Sequence, residues 1–91
     1  MYRTLHASVW GRVQGVLFRD FVREHAERLG LTGYVQNLPN GSVEVGAEGE
    51  NDKLEQLVRY LKIGPPAATV DRVITEWSEY RGSYSDFRIR Y

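Results

Sequence analysis

The chain has 91 residues, so a single domain spanning residues 1–91 is expected and a second domain is excluded. It has no cysteine, which excludes disulfide bonds, thiolate metal sites and a cysteine nucleophile and favours a cytoplasmic location. Lys and Arg total 12, as do Asp and Glu, so the net charge is +0 and the broad basic surface of a nucleic-acid-binding protein is not expected.

The predicted elements follow from the spacing of apolar residues, since strict alternation is typical of strands and spacings of three and four are typical of helices. In chain order they are a strand at 2–13, a helix at 18–29, strands at 31–38 and 42–48, a helix from Asp52 to the Gly-Pro-Pro at 64–66, an extended segment at 70–80 and a short strand at 87–91. Gly30 is placed to end the first helix, and Asp52 is expected to cap the second. The Asn-Gly pair at 40–41 predicts a hairpin.

This order, β-α-β-β-α-β with a possible short fifth strand, predicts an α+β fold of the ferredoxin-like type. Such a fold is a two-layer α/β sandwich, in which an antiparallel sheet carries both helices on one face. The other face of the sheet is open.

The loop at 14–17 joins the first strand to the first helix and contains Gly15. Successive main-chain N–H groups at such a junction can bind an anion. Arg19 places a cation in the first helical turn, against the positive end of the helix dipole, an arrangement that a bound anion would stabilise. The stretch "GRVQGVLFRDF" at 11–21 is therefore a candidate phosphate site, although it lacks the glycine and lysine patterns of nucleotide-binding loops. On these residues alone, a plain tight turn with Arg19 in solvent also remains open.

Asn37 ends the second predicted strand. At this position Asn ordinarily forms a turn through its own backbone. In a split βαβ sheet, however, its strand lies close to the first strand, so the side chain could approach the Arg19 loop. A neutral amide there could hold a water molecule, because it both donates and accepts hydrogen bonds.

Two stretches together resemble the acylphosphatase family: "VWGRVQGVLFR" at 9–19 and "GYVQNLPNGSVEVGAEG" at 33–49. The order of elements and the ending "FRIRY" are also similar to that family, so the resemblance covers nearly the whole chain. It implies hydrolysis of the carboxyl–phosphate bond of a small-molecule acyl phosphate, without a cofactor or metal. It implies that Arg19 binds the phosphate and that Asn37 positions the attacking water. The backbone amides implied to complete the phosphate site are those of Gln14, Gly15, Val16, Leu17 and Phe18.

The chemistry permits so sparse a site, because a carboxylate is a weak base that departs without a proton. Inorganic phosphate or sulfate is expected to compete with the substrate, and the protein is expected to be a monomer or a small homo-oligomer. No segment has the apolar length of a signal peptide or a membrane span, so no membrane partner is expected.

Two other classes of function remain open. One is a non-catalytic module of the same fold that binds phosphate, carbamoyl phosphate or another anion. The other is an RNA-binding sheet, against which the acidic Glu44 and Glu48 argue, since they fall on the third strand where such sheets carry basic and aromatic residues.

The remaining polar residues near these motifs are expected to play smaller parts. His6 and His25 are expected to be structural or solvated, and Asp20 and Glu24 are expected to be surface charges or to form modest ion pairs. One further hypothesis concerns the end of the chain: the terminal carboxylate of Tyr91 pairs with Arg19 in the empty enzyme.

Overall fold

The computed structural model describes residues 1–91. Its elements are β1 (Tyr2–Arg12), α1 (Phe18–Arg28), β2 (Thr32–Asn37), β3 (Val43–Glu50), α2 (Asn51–Ile63), β4 (Thr69–Glu79) and β5 (Phe87–Arg90). The strands form one sheet in the order β4-β1-β3-β2-β5, and both helices pack on the same face. The predicted ferredoxin-like α+β sandwich is confirmed, as is the short fifth strand.

The fifth strand makes the sheet mixed rather than wholly antiparallel. β1 pairs antiparallel with β3 and β4, and β2 pairs antiparallel with β3, but β5 pairs parallel with β2. The reason lies in the route of the chain, because residues 80–86 cross from one edge of the sheet to the other along the end where β4 finishes. β5 therefore runs opposite to β4 and in the same direction as β2.

The core lies between the sheet and the two helices, where alternate strand residues meet the apolar stripe of each helix. It is one cluster of 16 buried residues, the largest of which include Leu5, Phe18, Leu54, Leu57 and Leu61. Neither helix has the length and apolar character needed to cross a bilayer. Because α1 begins at Phe18, a core residue, the start of this helix is fixed against the sheet.

Gly30 ends the first helix as predicted. It adopts φ of 72°, and the N–H groups of Gly30 and Leu31 donate to the carbonyl oxygens of Glu27 (3.0 Å) and Ala26 (2.9 Å). These two bonds satisfy carbonyl groups that the end of a helix leaves free.

The junction of β3 and α2 differs from the prediction. β3 continues to Glu50 and α2 begins at Asn51, so the polar stretch at 49–52 is not a loop. Asp52 lies inside the first turn and does not cap the helix; Glu50 occupies the cap position without a side-chain hydrogen bond. The strand is longer because Glu50 pairs with Tyr2 across the ladder to β1, a contact between distant parts of the chain.

Glu48 is a buried carboxylate on β3, with only 1% of its surface exposed. It accepts hydrogen bonds from the Thr4 hydroxyl (2.8 Å) and from the backbone N–H groups of Arg81 (3.1 Å) and Ser83 (2.8 Å). Burial raises the pKa of Glu48, but these hydrogen bonds to the charged form outweigh it, and the pKa lies below its usual value. Glu48 therefore holds the segment that leads from β4 to β5.

Candidate active site

A pocket of about 190 Å³ lies where the β1–α1 loop, the start of α1 and the end of β2 meet. Its lining residues are Val13, Gly15, Leu17, Phe18, Arg19, Asp20 and Asn37. The structure thus brings Arg19 and Asn37 to one cavity, although they lie on different elements. It is also the junction between strand and helix where the sequence predicted an anion site.

The loop itself leaves a run of main-chain donors unused. Gly15 adopts φ of 73°, in the left-handed region that favours glycine, and this conformation turns the chain from β1 toward α1. None of the N–H groups of residues 14–19 donates a hydrogen bond to another group of the protein. They stand at the positive end of the α1 dipole, where such free donors bind anions.

Arg19 is half-buried in the first turn of α1. Its Nη1 donates to the carbonyl oxygen of Arg90 on β5 (3.4 Å), and its Cζ lies 4.8 Å from the centre of the Tyr91 ring. The hypothesis that the terminal carboxylate of Tyr91 pairs with Arg19 is wrong: Arg19 forms no ion pair within the protein. Nη1 is bonded instead to a backbone carbonyl oxygen of β5, and Tyr91 contacts the guanidinium through its ring. The guanidinium of Arg19 therefore has no carboxylate in direct contact beside the pocket.

Asn37 is the last residue of β2 and pairs with Val43 on β3. The two-residue period of a strand puts its side chain on the same face as Val35, which is fully buried. Its Oδ1 is buried and accepts no hydrogen bond from the protein. An unpaired buried acceptor of this kind lowers the stability of the fold by about 1–3 kcal/mol. Because Asn37 lines the pocket, a ligand or water bound there could supply the missing donor.

Gln14 ties the loop to the neighbouring hairpin. Its side-chain Nε2 donates to the carbonyl oxygens of Leu38 (2.8 Å) and Ser42 (2.9 Å), at either end of the β2–β3 turn. The Gln14 side chain therefore does not line the pocket, and neither does Val16, which packs against the core. The sequence did not reveal this contact, because a glutamine in a loop has many possible partners; the one available signal was that the hairpin was predicted to lie nearby.

Two pocket residues were not among the predicted site residues. Val13 contributes apolar wall, and Asp20 contributes an exposed carboxylate, which lies 3.7 Å from the guanidinium of Arg23. Asp20 is a surface charge as expected, but it also places a negative charge at the rim of the pocket. Arg19 is then the one cationic side chain in the lining.

Both histidines lie outside the pocket, as expected for structural roles. His6 Nε2 lies 2.8 Å from Glu44 on the open face of the sheet, and His25 stacks on Tyr60 with 3.9 Å between ring centres. Burial lowers the pKa of His25, and the positive charge of Arg28 acts in the same direction. Nowhere in the chain do three or more His, Cys, Asp or Glu side chains form a group able to hold a metal ion.

The sequence matches the acylphosphatase family over residues 5–89. An acylphosphatase from Dehalococcoides mccartyi is 53% identical over 88 residues, which cover 96% of this chain and 97% of that protein. The solved structure of an acylphosphatase from Coxiella burnetii is 47% identical with a TM-score of 0.92, covering 98% of this chain and 93% of the other. The crystal structure of acylphosphatase from Bacillus subtilis is 36% identical with a TM-score of 0.94, and the alignment covers 100% of both chains. The resemblance carried by the two sequence motifs is confirmed, and the chain belongs to the acylphosphatase family.

Proposed function

We propose that this enzyme hydrolyses acyl phosphates with Arg19 and the free N–H groups of residues 14–19 binding the phosphoryl group and Asn37 positioning the water. Cleavage of the carboxyl–phosphate bond is the activity that membership of the family assigns to it. The observation that supports this division of roles is the shared pocket. One cavity contains the Arg19 guanidinium, which has no acidic partner, and the Asn37 Oδ1, which has no hydrogen-bond donor.

Phosphate binding depends on charge and on the shape of the donor groups. A guanidinium presents two parallel N–H donors that match two oxygens of a phosphate, which an ammonium does not do. Nη1 of Arg19 is held by the carbonyl oxygen of Arg90, while Nε and Nη2 make no hydrogen bond within the protein. The main-chain donors at the start of α1 add the favourable field of the helix dipole.

The reaction needs neither a protein nucleophile nor a general acid. The water oxygen forms a bond to phosphorus as the bond between phosphorus and the carboxyl oxygen breaks, and both electrons of that bond leave with the carboxylate. The two hydrogens of the water remain on the phosphate, so a dianionic acyl phosphate gives a carboxylate and dihydrogen phosphate. The protein therefore contributes positioning and electrostatic stabilisation of the equatorial oxygens.

Asn37 suits the task of aiming the water. Its buried Oδ1 would accept a hydrogen bond from the water, which turns a lone pair of the water oxygen toward phosphorus. Because an amide does not titrate, this alignment does not depend on pH. A carboxylate in the same place would repel the phosphate dianion.

The proposal includes independence of metal ions, because Arg19 and the main-chain donors supply the charge stabilisation that a metal provides elsewhere. Benzoyl phosphate hydrolysis measured in excess EDTA tests it, with a magnesium-dependent phosphatase in the same buffer as the control. We expect an unchanged rate in EDTA and competitive inhibition by phosphate and by sulfate. Loss of activity in EDTA with recovery on adding magnesium would show that a metal is required, and anion binding without turnover would favour a non-catalytic module.

A further inference from the structure

Leu17 has a conformation and an exposure that the fold does not explain. It is the residue before α1 and adopts φ of 63° and ψ of 27°, the only non-glycine residue of the chain with a positive φ. Glycine and asparagine adopt this conformation far more readily than leucine. Its side chain is also 75% exposed, so the strained backbone gains no burial in return.

The position of Leu17 connects these properties with the pocket. Three apolar residues line the cavity, and two of them, Val13 and Phe18, are buried in the core with 1% and 2% of their surfaces exposed. Leu17 is therefore the only apolar lining side chain with surface available to a ligand. Strain that persists beside a binding site without a structural benefit indicates a functional role.

The substrate class gives that surface a partner. An acyl phosphate has a charged phosphoryl half, which fits the donors of the loop, and an acyl half, which must extend out of the pocket past its rim. Leu17 offers apolar contact there, while the exposed carboxylate of Asp20 disfavours an acyl group that carries its own negative charge.

We infer that Leu17 is a specificity-determining residue that packs against the acyl group, so that the enzyme prefers substrates with a bulky, uncharged, apolar acyl group over acetyl phosphate. The inference rests on the proposed function and adds a contact to the acyl half of the substrate. It makes the rim of the pocket, rather than the phosphate-binding donors, the source of selectivity among acyl phosphates.

The variant Leu17→Asn separates contact from conformation. Asparagine tolerates positive φ and carries no charge, so the loop and the electrostatics of the pocket are preserved while the apolar surface is removed. The matched control is Ile63→Asn, since Ile63 is 70% exposed and lies on α2 outside the pocket. Leu17→Met, which retains apolar surface, is the conservative variant.

The measurement is kcat/KM for benzoyl phosphate and for acetyl phosphate, together with inhibition by inorganic phosphate. For Leu17→Asn we expect kcat/KM for benzoyl phosphate to fall about five- to tenfold, the effect of losing roughly 50 Å² of apolar contact. The short acetyl group offers this surface little contact, so kcat/KM for acetyl phosphate should fall by less than that for benzoyl phosphate, and phosphate inhibition should change no more than acetyl phosphate hydrolysis does. The melting temperature should equal or exceed that of the original chain, because asparagine tolerates the positive φ. Leu17→Met and Ile63→Asn should retain the original preference between the two substrates.

Two results would overturn the inference. Equal losses for both substrates would show that Leu17 only shapes the loop, and no loss for either substrate would show that the acyl group does not touch it. Failure of the proposed function looks different, because the original chain would then hydrolyse neither substrate or would lose no activity on Arg19→Ala.

Discussion

Gln14 and Leu38 are joined by a hydrogen bond of 2.8 Å from the side-chain amide of Gln14 to the carbonyl oxygen of Leu38. The same amide nitrogen also donates to Ser42 at 2.9 Å. One side chain thus connects the loop that precedes Arg19 with the hairpin that follows Asn37. We therefore expect the relative placement of Arg19 and Asn37, the two side chains proposed to act in the reaction, to depend on this connection.

Replacing Gln14 by leucine should therefore affect both stability and turnover. Two hydrogen bonds are lost, each contributing about 0.5–1.5 kcal/mol, and the hairpin gains freedom relative to the loop. We expect urea unfolding to show this loss of stability, and kcat to fall more than phosphate affinity because Asn37 is displaced. Gln56→Leu on α2, where no side-chain hydrogen bond is made, serves as the control. Normal turnover in Gln14→Leu would show that the connection does not position the site.

Arg19→Ala should abolish activity and inhibition by phosphate together. Loss of one preorganised donor typically costs about 10²- to 10³-fold in rate, and Arg19 is the only cation in the lining. Benzoyl phosphate hydrolysis and phosphate inhibition measure the two effects, with Arg28→Ala in the last turn of the same helix as the control. Arg19→Lys should recover only part of the affinity, since it restores charge without the two parallel donors. Activity that survives Arg19→Ala would exclude the proposed role.

Asn37→Ala should separate binding from turnover. We expect kcat to fall about 10²-fold because the water loses its acceptor, while inhibition by phosphate stays within about twofold. Asn51→Ala, at the start of α2, is the control for loss of an amide elsewhere. A parallel loss of phosphate affinity and turnover would show that Asn37 contacts the phosphate itself.

Glu48 should make stability depend on pH below its ordinary pKa of 4.5. The folded-state pKa of Glu48 is lowered, so the stability that Glu48 contributes is complete above pH 4.5. This stability is lost as the pH falls from 4.5 through the folded-state pKa, because the unfolded chain binds the proton at a higher pH than the folded chain does. Urea unfolding at about pH 6 and about pH 3.5 should show a steeper loss for the original chain than for Glu48→Gln. Glu44, whose pKa is also lowered, is present in both proteins, so the difference isolates Glu48. Identical slopes would contradict the assignment.

Much of the fold was predictable because it depends on local periodicity. The alternation around Leu5 and the helical spacing from Phe18 define β1 and α1 without knowledge of the rest of the chain. The start of α2 was not predictable in this way. Glu50 joins the sheet through its pairing with Tyr2, and the local sequence, which suggested a helix cap at Asp52, carries no sign of that distant contact.

The residues of the candidate site also fall into those that local sequence predicts and those that depend on contacts between distant segments. Arg19 and its loop could be inferred from the conflict between a cation and a helix N-terminus, which is a local feature. The approach of Asn37 followed only once the topology was assumed. The two hydrogen bonds of Gln14 and the contact between Arg19 and the backbone of Arg90 depend on how separate segments meet, and the sequence pattern carries no signal for them.

The carboxylate buried on β3 also couples one edge of the sheet to the acidity of the solution. Protonation of Glu48 weakens its hold on the crossing segment at 80–86, through which the chain reaches the edge strand β5. The β5 strand supplies the carbonyl oxygen that accepts the hydrogen bond of Arg19. The pairing among β1, β2, β3 and β4 is made by other hydrogen bonds, which do not depend on those from the crossing segment to Glu48. Acid strong enough to protonate Glu48, at a pH below 4.5, is consequently expected to loosen this edge of the sheet and the support that it gives to Arg19.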